Sequence, residues 1–490
     1  MGRESKAEDV HVMIPTPADQ RKPSDLKLWA CFGAAVESGL RRVNRILASS
    51  GYIGPHFEWP ELTWRKNGLP SITEKFDAPK DYSGALRTSL SPGTPETEAQ
   101  FENEPAFVAL CEYVRKHPRL SHHLGTPDPD QLIDSALKTL IGDTLDRYVH
   151  QHKTTDLILQ KLEPIYIEIE TYLLQTDLPI VLLVPILFLR FEDDLIDIDD
   201  RTSIIRMGDG LHLARPPQLR FNYGNHPIVQ SAATHAFVRM GYTIPNEARV
   251  WNWHLLGAPN AYPIDLIERF FAALRIAAPH PTGYGQLLAM PVGWASGYTG
   301  DLVPLYKTSV RNYPPWFENR NWDEPVPTIS TQQAKEVSAL FTRLSDCEKT
   351  KQMSIAIRRL NSSAMRMTHE DELLDVMIAL EALLSDSSQE MTHKIAIRTA
   401  ALYKLHGSLD AVDVLREVKD IYGFRSKIVH GNEVDPDQKV RGKRGVRVTE
   451  AATEHLRTVL KMLLEHPRFL DVAEIDSELL LGSHAKDQIG

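Results

Sequence analysis

The sequence predicts an α+β protein: a mixed α/β N-terminal region followed by an all-α helical bundle at the C-terminus. Two observations carry this. After residue 330, apolar residues recur at spacings of three and four through several successive segments, the mark of helices with one buried face. Before it, short apolar runs bounded by turn residues read as strands, with helical patterns on either side.

Taken in order, residues 1–125 mix Pro-rich and aromatic stretches, with Trp29, Trp59 and Trp64, and no fold is legible in them. Ser89, Pro92, Gly93 and Pro95 mark a loop or linker. A mixed α/β domain is expected over 126–325. Helical periodicity runs through 131–149 and 156–174, where Pro164 must kink or split the second helix. The most apolar stretch, 178–189, is too short to span a bilayer and holds Pro179 and Pro185, so a buried strand is expected. Strands continue to residue 205 around a turn at Asp199-Asp200, and 232–242 and 284–294 add others. Residues 265–277 form an amphipathic helix carrying Ile267, Phe270, Phe271 and Leu274. Residues 321–328 link this domain to the bundle, placed at 330–470, and 471–490 is a tail.

Composition is that of an ordinary globular protein: 42% hydrophobic and 24% charged residues over 490 positions, with two or three domains expected. Cys31, Cys111 and Cys347 show no paired spacing, which excludes a disulfide scaffold and a Cys-based zinc site and fits a reducing cytoplasm. Arg3, Glu4, Lys6, Glu8 and Asp9 leave no apolar signal-peptide core, and no membrane association is expected. The net charge of −10 argues against unspecific coating of nucleic acid. Residues 331–490 hold 23 Lys+Arg against 25 Asp+Glu, so most of the acidity lies N-terminally. No repeat, Walker loop, HExxH or dinucleotide fingerprint is present.

The most informative segment is Tyr422-Gly423-Phe424-Arg425-Ser426-Lys427-Ile428-Val429-His430-Gly431. From Val414 through Leu415, Val418, Ile421 and Tyr422 the apolar spacing marks one helical face. Gly431 suits the left-handed position after a helix, and Asn432 and Pro436 discourage continuation. His430 thus sits in the last turn, where the helix dipole favours its protonated form. Tyr422, Ser426 and His430 line one stripe. Arg425 lies about 140° around the helix from His430, at 100° per residue. One straight helix therefore cannot aim both at one phosphate, and a second copy of the helix is expected to complete the site.

Such a pair suits cleavage of RNA by its own 2′-hydroxyl. Histidine serves as base or acid near neutrality, and arginine offers a planar donor fork to the charged phosphorane. No metal or other cofactor is required. Lys439, Arg441, Lys443, Arg444 and Arg447 follow the motif, with Gly442 and Gly445 keeping the stretch flexible, and together with Lys427 they are positioned in sequence to grip backbone phosphates. A solvated basic loop is the plainer reading.

The context extends the motif. Leu373, Leu374, Met377, Leu380, Leu383 and Leu384 stripe a segment holding Ile378-Ala379-Leu380-Glu381-Ala382-Leu383-Leu384. A third pattern, 390–403, holds Ile395-Ala396-Ile397-Arg398-Thr399-Ala400-Ala401-Leu402, and a last helix covers 449–465. In order and wording these segments resemble the Apea-like branch of the HEPN superfamily, over roughly residues 333–467. The resemblance implies an all-α bundle, a homodimer with a composite cleft, and metal-independent ribonuclease activity, with anti-phage defence or a toxin-like stress response as the setting and a phage-derived or cellular trigger. Arg425 and His430 would be the catalytic pair, with Tyr422 and Ser426 orienting them and Glu381 as the carboxylate near Arg425. Glu381 serves equally as an ion pair between helices. Ser426 departs from the Asn, Asp or His that catalytic relatives carry there, which keeps open an inactive protein that binds RNA or nucleotide or scaffolds a partner.

Other clusters have plainer explanations. Glu192, Asp193, Asp194, Asp197, Asp199 and Asp200 read as a charge-guarded edge strand rather than a Mg²⁺ site. His117, His122 and His123 lack a ligand partner at a recognisable spacing and are expected in a surface loop. Trp251, Trp253 and His254 read as packing between domains.

Overall fold

The computed structural model describes residues 21–87, 100–127, 129–216, 227–347, 350–386, 390–441 and 444–482. The Ser89–Glu96 linker, Gly442 and Lys443 therefore lie outside the described residues. The N-terminal part comprises α1 (Leu26–Ser50), a hairpin of β1 (Pro60–Trp64) and β2 (Pro70–Glu74), the single turn α2 (Gly84–Arg87), α3 (Pro105–Lys116), α4 (Pro118–Gly125), α5 (Pro129–His152) and α6 (Leu159–Leu174). Asp25 starts α1 by accepting from the backbone N–H groups of Lys27 and Leu28, and Gly51 ends it at φ 64°. Pro164 is accommodated inside α6 without splitting it.

Helices α5 and α6, assigned to the middle domain from sequence, pack with α1, α3 and α4 and also meet the chain after β8, where Tyr172 stacks on Trp294 and the Tyr298 hydroxyl donates to the Ile165 carbonyl. Their apolar positions, among them Leu145, Tyr148, Leu162 and Tyr166, face Leu28, Phe32 and Phe107 in one core.

The middle of the chain contributes β3 (Asp177–Leu187), β4 (Arg190–Phe191), β5 (Leu195–Asp199), β6 (Thr202–Arg206), α7 (Asp209–Ala214), α8 (Pro227–Ser231), β7 (Ala233–Pro245), α9 (Arg249–Gly257), α10 (Ile264–Ala277), β8 (Tyr284–Pro291), β9 (Tyr306–Asn312) and β10 (Thr328–Ile329). Six of these strands form an antiparallel sheet in the order β5-β6-β7-β3-β8-β9. The strands expected at 178–205, 232–242 and 284–294 are all present. β3 is central and buried on both faces: Leu182, Val184 and Ile186 point into one apolar cluster, and Val181, Leu183 and Leu187 into another. The β3–β8 register stops at Leu183, so Pro185, which has no N–H to give, sits where that ladder has already lapsed. β5 is the edge strand, and its exposed, charged residues guard it as expected.

The bundle consists of α11 (Thr331–Cys347), α12 (Lys351–Ser363), α13 (His369–Leu384), α14 (Met391–His406), α15 (Ala411–Val429), α16 (Val448–Glu465) and α17 (Val472–Glu474), which runs into a π-helical turn, Ile475–Leu480. α11 and α12 extend the four-helix pattern read from sequence. The final turn is docked rather than loose: Ile475 is fully buried, and Asp476 accepts from buried Arg398 at 2.6 and 2.9 Å.

Sheet and bundle share one core through α10. Phe270 packs on Phe237 of β7, with ring centroids 4.5 Å apart, while α10 also lies against α11, α12 and α16. Buried Arg275 donates to Asn361 of α12 and to the Thr282 carbonyl, and Asn361 donates to the Glu268 carbonyl at 2.9 Å. The strand pair β4–β10 is parallel, and Glu192 and Asp193 beside it accept from the backbone N–H and the hydroxyl of Thr331, the first residue of α11. No helix of the described residues is long and apolar enough to cross a membrane.

Phe270→Ala should open a cavity at this junction and cost about 3–5 kcal/mol, read as a fall in the denaturant midpoint with little change in slope.

Candidate functional site

α15 is built as its sequence requires. Asp410 caps its start by accepting from Val412 and Asp413, and Val414, Val418, Ile421, Tyr422 and Phe424 are buried. At its end Gly431 adopts φ 69°. Its N–H reaches the Ile428 carbonyl at 3.0 Å, and the Asn432 N–H reaches Lys427 at 2.9 Å. This Schellman arrangement satisfies the last carbonyls and fixes His430 as the C-cap.

The two halves of the motif then diverge. Tyr422 is buried and donates its phenol to Glu381 of α13 at 3.1 Å. Burial pushes that phenol well above its usual range, and the neighbouring carboxylate adds to the effect, so the tyrosine is a lasting donor. Arg425 is about one-third exposed; its guanidinium lies 3.3 Å from the same Glu381 oxygen and 5.9 Å from the centre of the Tyr422 ring. The Arg425 Nε is buried and makes no hydrogen bond among the described residues. Glu381 therefore joins α13 to α15 and sets the direction of the guanidinium. Ser426, Lys427 and His430 are exposed, and the His430 side chain has no hydrogen-bond partner among the described residues. Within one chain the structure joins Arg425, Tyr422 and Glu381 and leaves Ser426 and His430 on the open surface.

Three arginines of the basic cluster after the motif are engaged by carboxylates. Residues 438–440 and 446–448 pair as a short hairpin: the Val440 N–H donates to the Val446 carbonyl at 3.1 Å and the Val448 N–H to the Gln438 carbonyl at 2.9 Å, with the Val440 side chain buried at its base. Arg441 binds Asp420 through its backbone N–H at 2.8 Å and its Nε at 2.7 Å. Arg444 spans Glu417, at 3.0 and 3.1 Å, and Glu454, at 2.7 Å. Arg447 is held by Glu450 at 2.6 Å. All three arginines pair with carboxylates of α15 and α16, although Arg441 itself stays largely exposed to water. Lys427 and Lys439 remain exposed, and Lys443 is outside the described residues.

Glu417 anchors a buried network, accepting from Arg444 and lying 3.1 Å from His455 Nε2, whose Nδ1 is 2.9 Å from the Tyr403 hydroxyl. Sequence reasoning missed this network, since nothing local marks Glu417 and His455 as partners.

The remaining clusters also resolve. Asp199 pairs with Arg239 at 2.7 Å and Asp194 with Arg206 at 3.2 Å, which leaves the acidic run engaged in structure. The surface loop expected for His117, His122 and His123 is instead a helix, α4. His117 caps α4, and His123 is buried on it beside Tyr172, where burial pulls its pKa down to about 4. Trp251, Trp253 and His254 fall on α9. A cluster that sequence reading overlooked is His56, Asp146 and His150, whose nitrogen and oxygen atoms converge in the N-terminal part. The i, i+4 spacing of Asp146 and His150 was its available signal.

Compared with known proteins, the chain matches no family model, no curated protein and no solved structure.

Burial raises the Glu417 pKa, but His455 and Arg444 outweigh it and hold the carboxyl below its ordinary 4.5. A carboxyl depressed on folding contributes stability that is full above the unfolded value and is lost as pH falls through the folded one. Chain stability should therefore decline below pH 4.5. Glu417→Gln should flatten that decline and, by leaving Arg444 and His455 short of a partner, weaken the fold at neutrality by on the order of 3 kcal/mol, both read from urea unfolding across pH.

Proposed function

We propose that the C-terminal bundle is a HEPN-type endoribonuclease that cleaves RNA without a divalent ion and works as a homodimer. The observation that carries the reading is the motif end of α15: a guanidinium aimed by Glu381 and Tyr422, and an imidazole on the open surface five residues later at a fixed C-cap. In this reading the 2′-oxygen of the substrate attacks phosphorus as its proton passes to a base. The P–O5′ bond breaks, and the 5′-oxygen takes a proton. His430 serves one or both transfers, and Arg425 neutralises the phosphorane. The products carry a 2′,3′-cyclic phosphate and a 5′-hydroxyl. Ser426 would orient the pair from the shared helical stripe.

The dimer enters for a geometric reason. Arg425 is drawn towards α13, and His430 lies about 140° further around the axis, so an imidazole from a second chain is better placed to share its phosphate. Lys427 and Lys439 supply the exposed positive charge for the RNA backbone. The setting, by analogy of family alone, is anti-phage defence or a toxin-like stress response with a phage-derived or cellular trigger.

A second reading has its own support. Arg441, Arg444 and Arg447 are occupied by carboxylates, and Arg425 already holds Glu381. An inactive bundle that binds nucleotide or scaffolds a partner needs no more than this.

Purified protein incubated with total RNA in EDTA should release fragments with cyclic-phosphate ends, and His430→Ala should lower the rate by at least about 100-fold. Equal behaviour of wild type and His430→Ala would remove the enzyme reading.

Complementation tests the composite site. Arg425→Ala and His430→Ala chains, each inactive, should regain up to half the wild-type activity when mixed and allowed to exchange, because one site then pairs an intact arginine with an intact histidine. Failure to regain activity in demonstrated heterodimers would place both groups in one chain.

A further inference from the structure

From the convergence of His56, Asp146 and His150 we infer that the N-terminal part binds one divalent first-row transition ion, best fitted by Zn²⁺, as a structural pin. The site is independent of the motif on α15. Asp146 and His150 stand one turn apart on α5, and His56 reaches them from the segment before β1. Their side chains are 1%, 8% and 10% exposed, and one donor atom from each lies within 4.8 Å of the others.

Several details point to a shared ion rather than to a simple ion pair. The His56 Nε2 is fully buried and only 2.8 Å from Asp146 Oδ2, yet no hydrogen bond is directed along that line. Two lone-pair atoms that approach without aligning a proton are arranged as neighbouring ligands are. The His150 Nε2 lies 3.4 Å from Asp146 Oδ1. In a tetrahedral shell with metal–ligand bonds of about 2.0–2.1 Å, ligands stand roughly 3.3–3.4 Å apart, so a small relaxation admits the ion. The Lys80 carbonyl oxygen, 2.8 Å from His150 Nε2, accepts from that nitrogen when it is protonated and offers a fourth donor when it is not.

The surroundings are built to hold the ligands. The Tyr82 N–H donates to Asp146 Oδ1 at 3.0 Å and the Gly300 N–H to Oδ2 at 2.6 Å, the outer contacts that fix a ligating carboxylate. Trp59 stacks on His150 and packs against His56. Gly300 has φ 52°, and a Cβ there would stand 2.6 Å from the Trp59 ring, so this close approach requires glycine. Two imidazoles with one carboxylate and a carbonyl suit a borderline ion better than Mg²⁺ or Ca²⁺, which prefer oxygen alone. Bound there, the ion would tie α5 to the segments holding His56, Lys80 and Gly300.

The test uses the full chain, stripped with a chelator and titrated with Co²⁺ followed by absorption, and with Zn²⁺ followed by calorimetry. One equivalent should bind, with tetrahedral Co²⁺ bands and a rise in the thermal midpoint on adding Zn²⁺. His56→Ala, in a segment that carries little of the core, should weaken binding by more than the roughly 10–100-fold that loss of an outer contact causes, while His122→Ala, on exposed α4 surface, should bind as wild type. The inference is overturned if the stripped wild-type chain takes up no stoichiometric ion, or if His56→Ala binds as tightly as wild type.

Discussion

Helix α10 has to bury two surfaces at once, and the arrangement of the whole chain follows from that. Ile267, Phe270, Phe271 and Leu274 are all buried, which is more apolar surface than one neighbour can cover. The sheet takes part of it through Phe237, and α11, α12 and α16 take the rest. Burying four such side chains is worth on the order of 1.5–3 kcal/mol each, enough to make separation of sheet and bundle costly. The polar cross-links through Arg275 and Asn361 then specify the angle at which the layers meet. Burial pulls the Arg275 pKa down to about 10, still well above neutrality, so the group remains a charged donor inside the joint.

A second theme is the matching of arginines to carboxylates across helices. Arg398 holds the C-terminal turn through Asp476, Arg444 joins Glu417 to Glu454, and Arg425 shares Glu381 with Tyr422. Each guanidinium is partly or wholly withdrawn from water, where planar two-pronged binding of a carboxylate is strongest. For the hairpin after the motif this means that Arg441, Arg444 and Arg447 each face a carboxylate. For Arg425 it means an orientation fixed before any ligand arrives, which is useful to an enzyme and equally compatible with a scaffold.

Local features were legible from sequence because they depend on neighbours a few residues away. The period of three and four gave α13, α14, α15 and α16, and the amphipathic spacing gave α10. Alternation and turn residues gave β3, β5–β6, β7 and β8, and Gly431 with Asn432 gave the end of α15. Relations between distant segments are not written in local patterns. α5 and α6 look the same from sequence whichever side they pack on. The candidate site divides in the same way. Placing His430 at a C-cap is local, whereas the partner of Arg425 lies 44 positions earlier on another helix.

The sequence by itself determined the helices and strands with a clear period, among them α10, β3, β7 and α13 to α16, where α15 ends, and that an arginine and a histidine stand at that end on different faces. Only the tertiary structure decided that Arg425 is aimed by Glu381 and Tyr422, that Arg441, Arg444 and Arg447 are spoken for, and that His56 meets Asp146 and His150. The reason is physical: periodicity and capping are written in contacts along the chain, while the charge state, direction and company of a side chain are set by segments that only folding brings together.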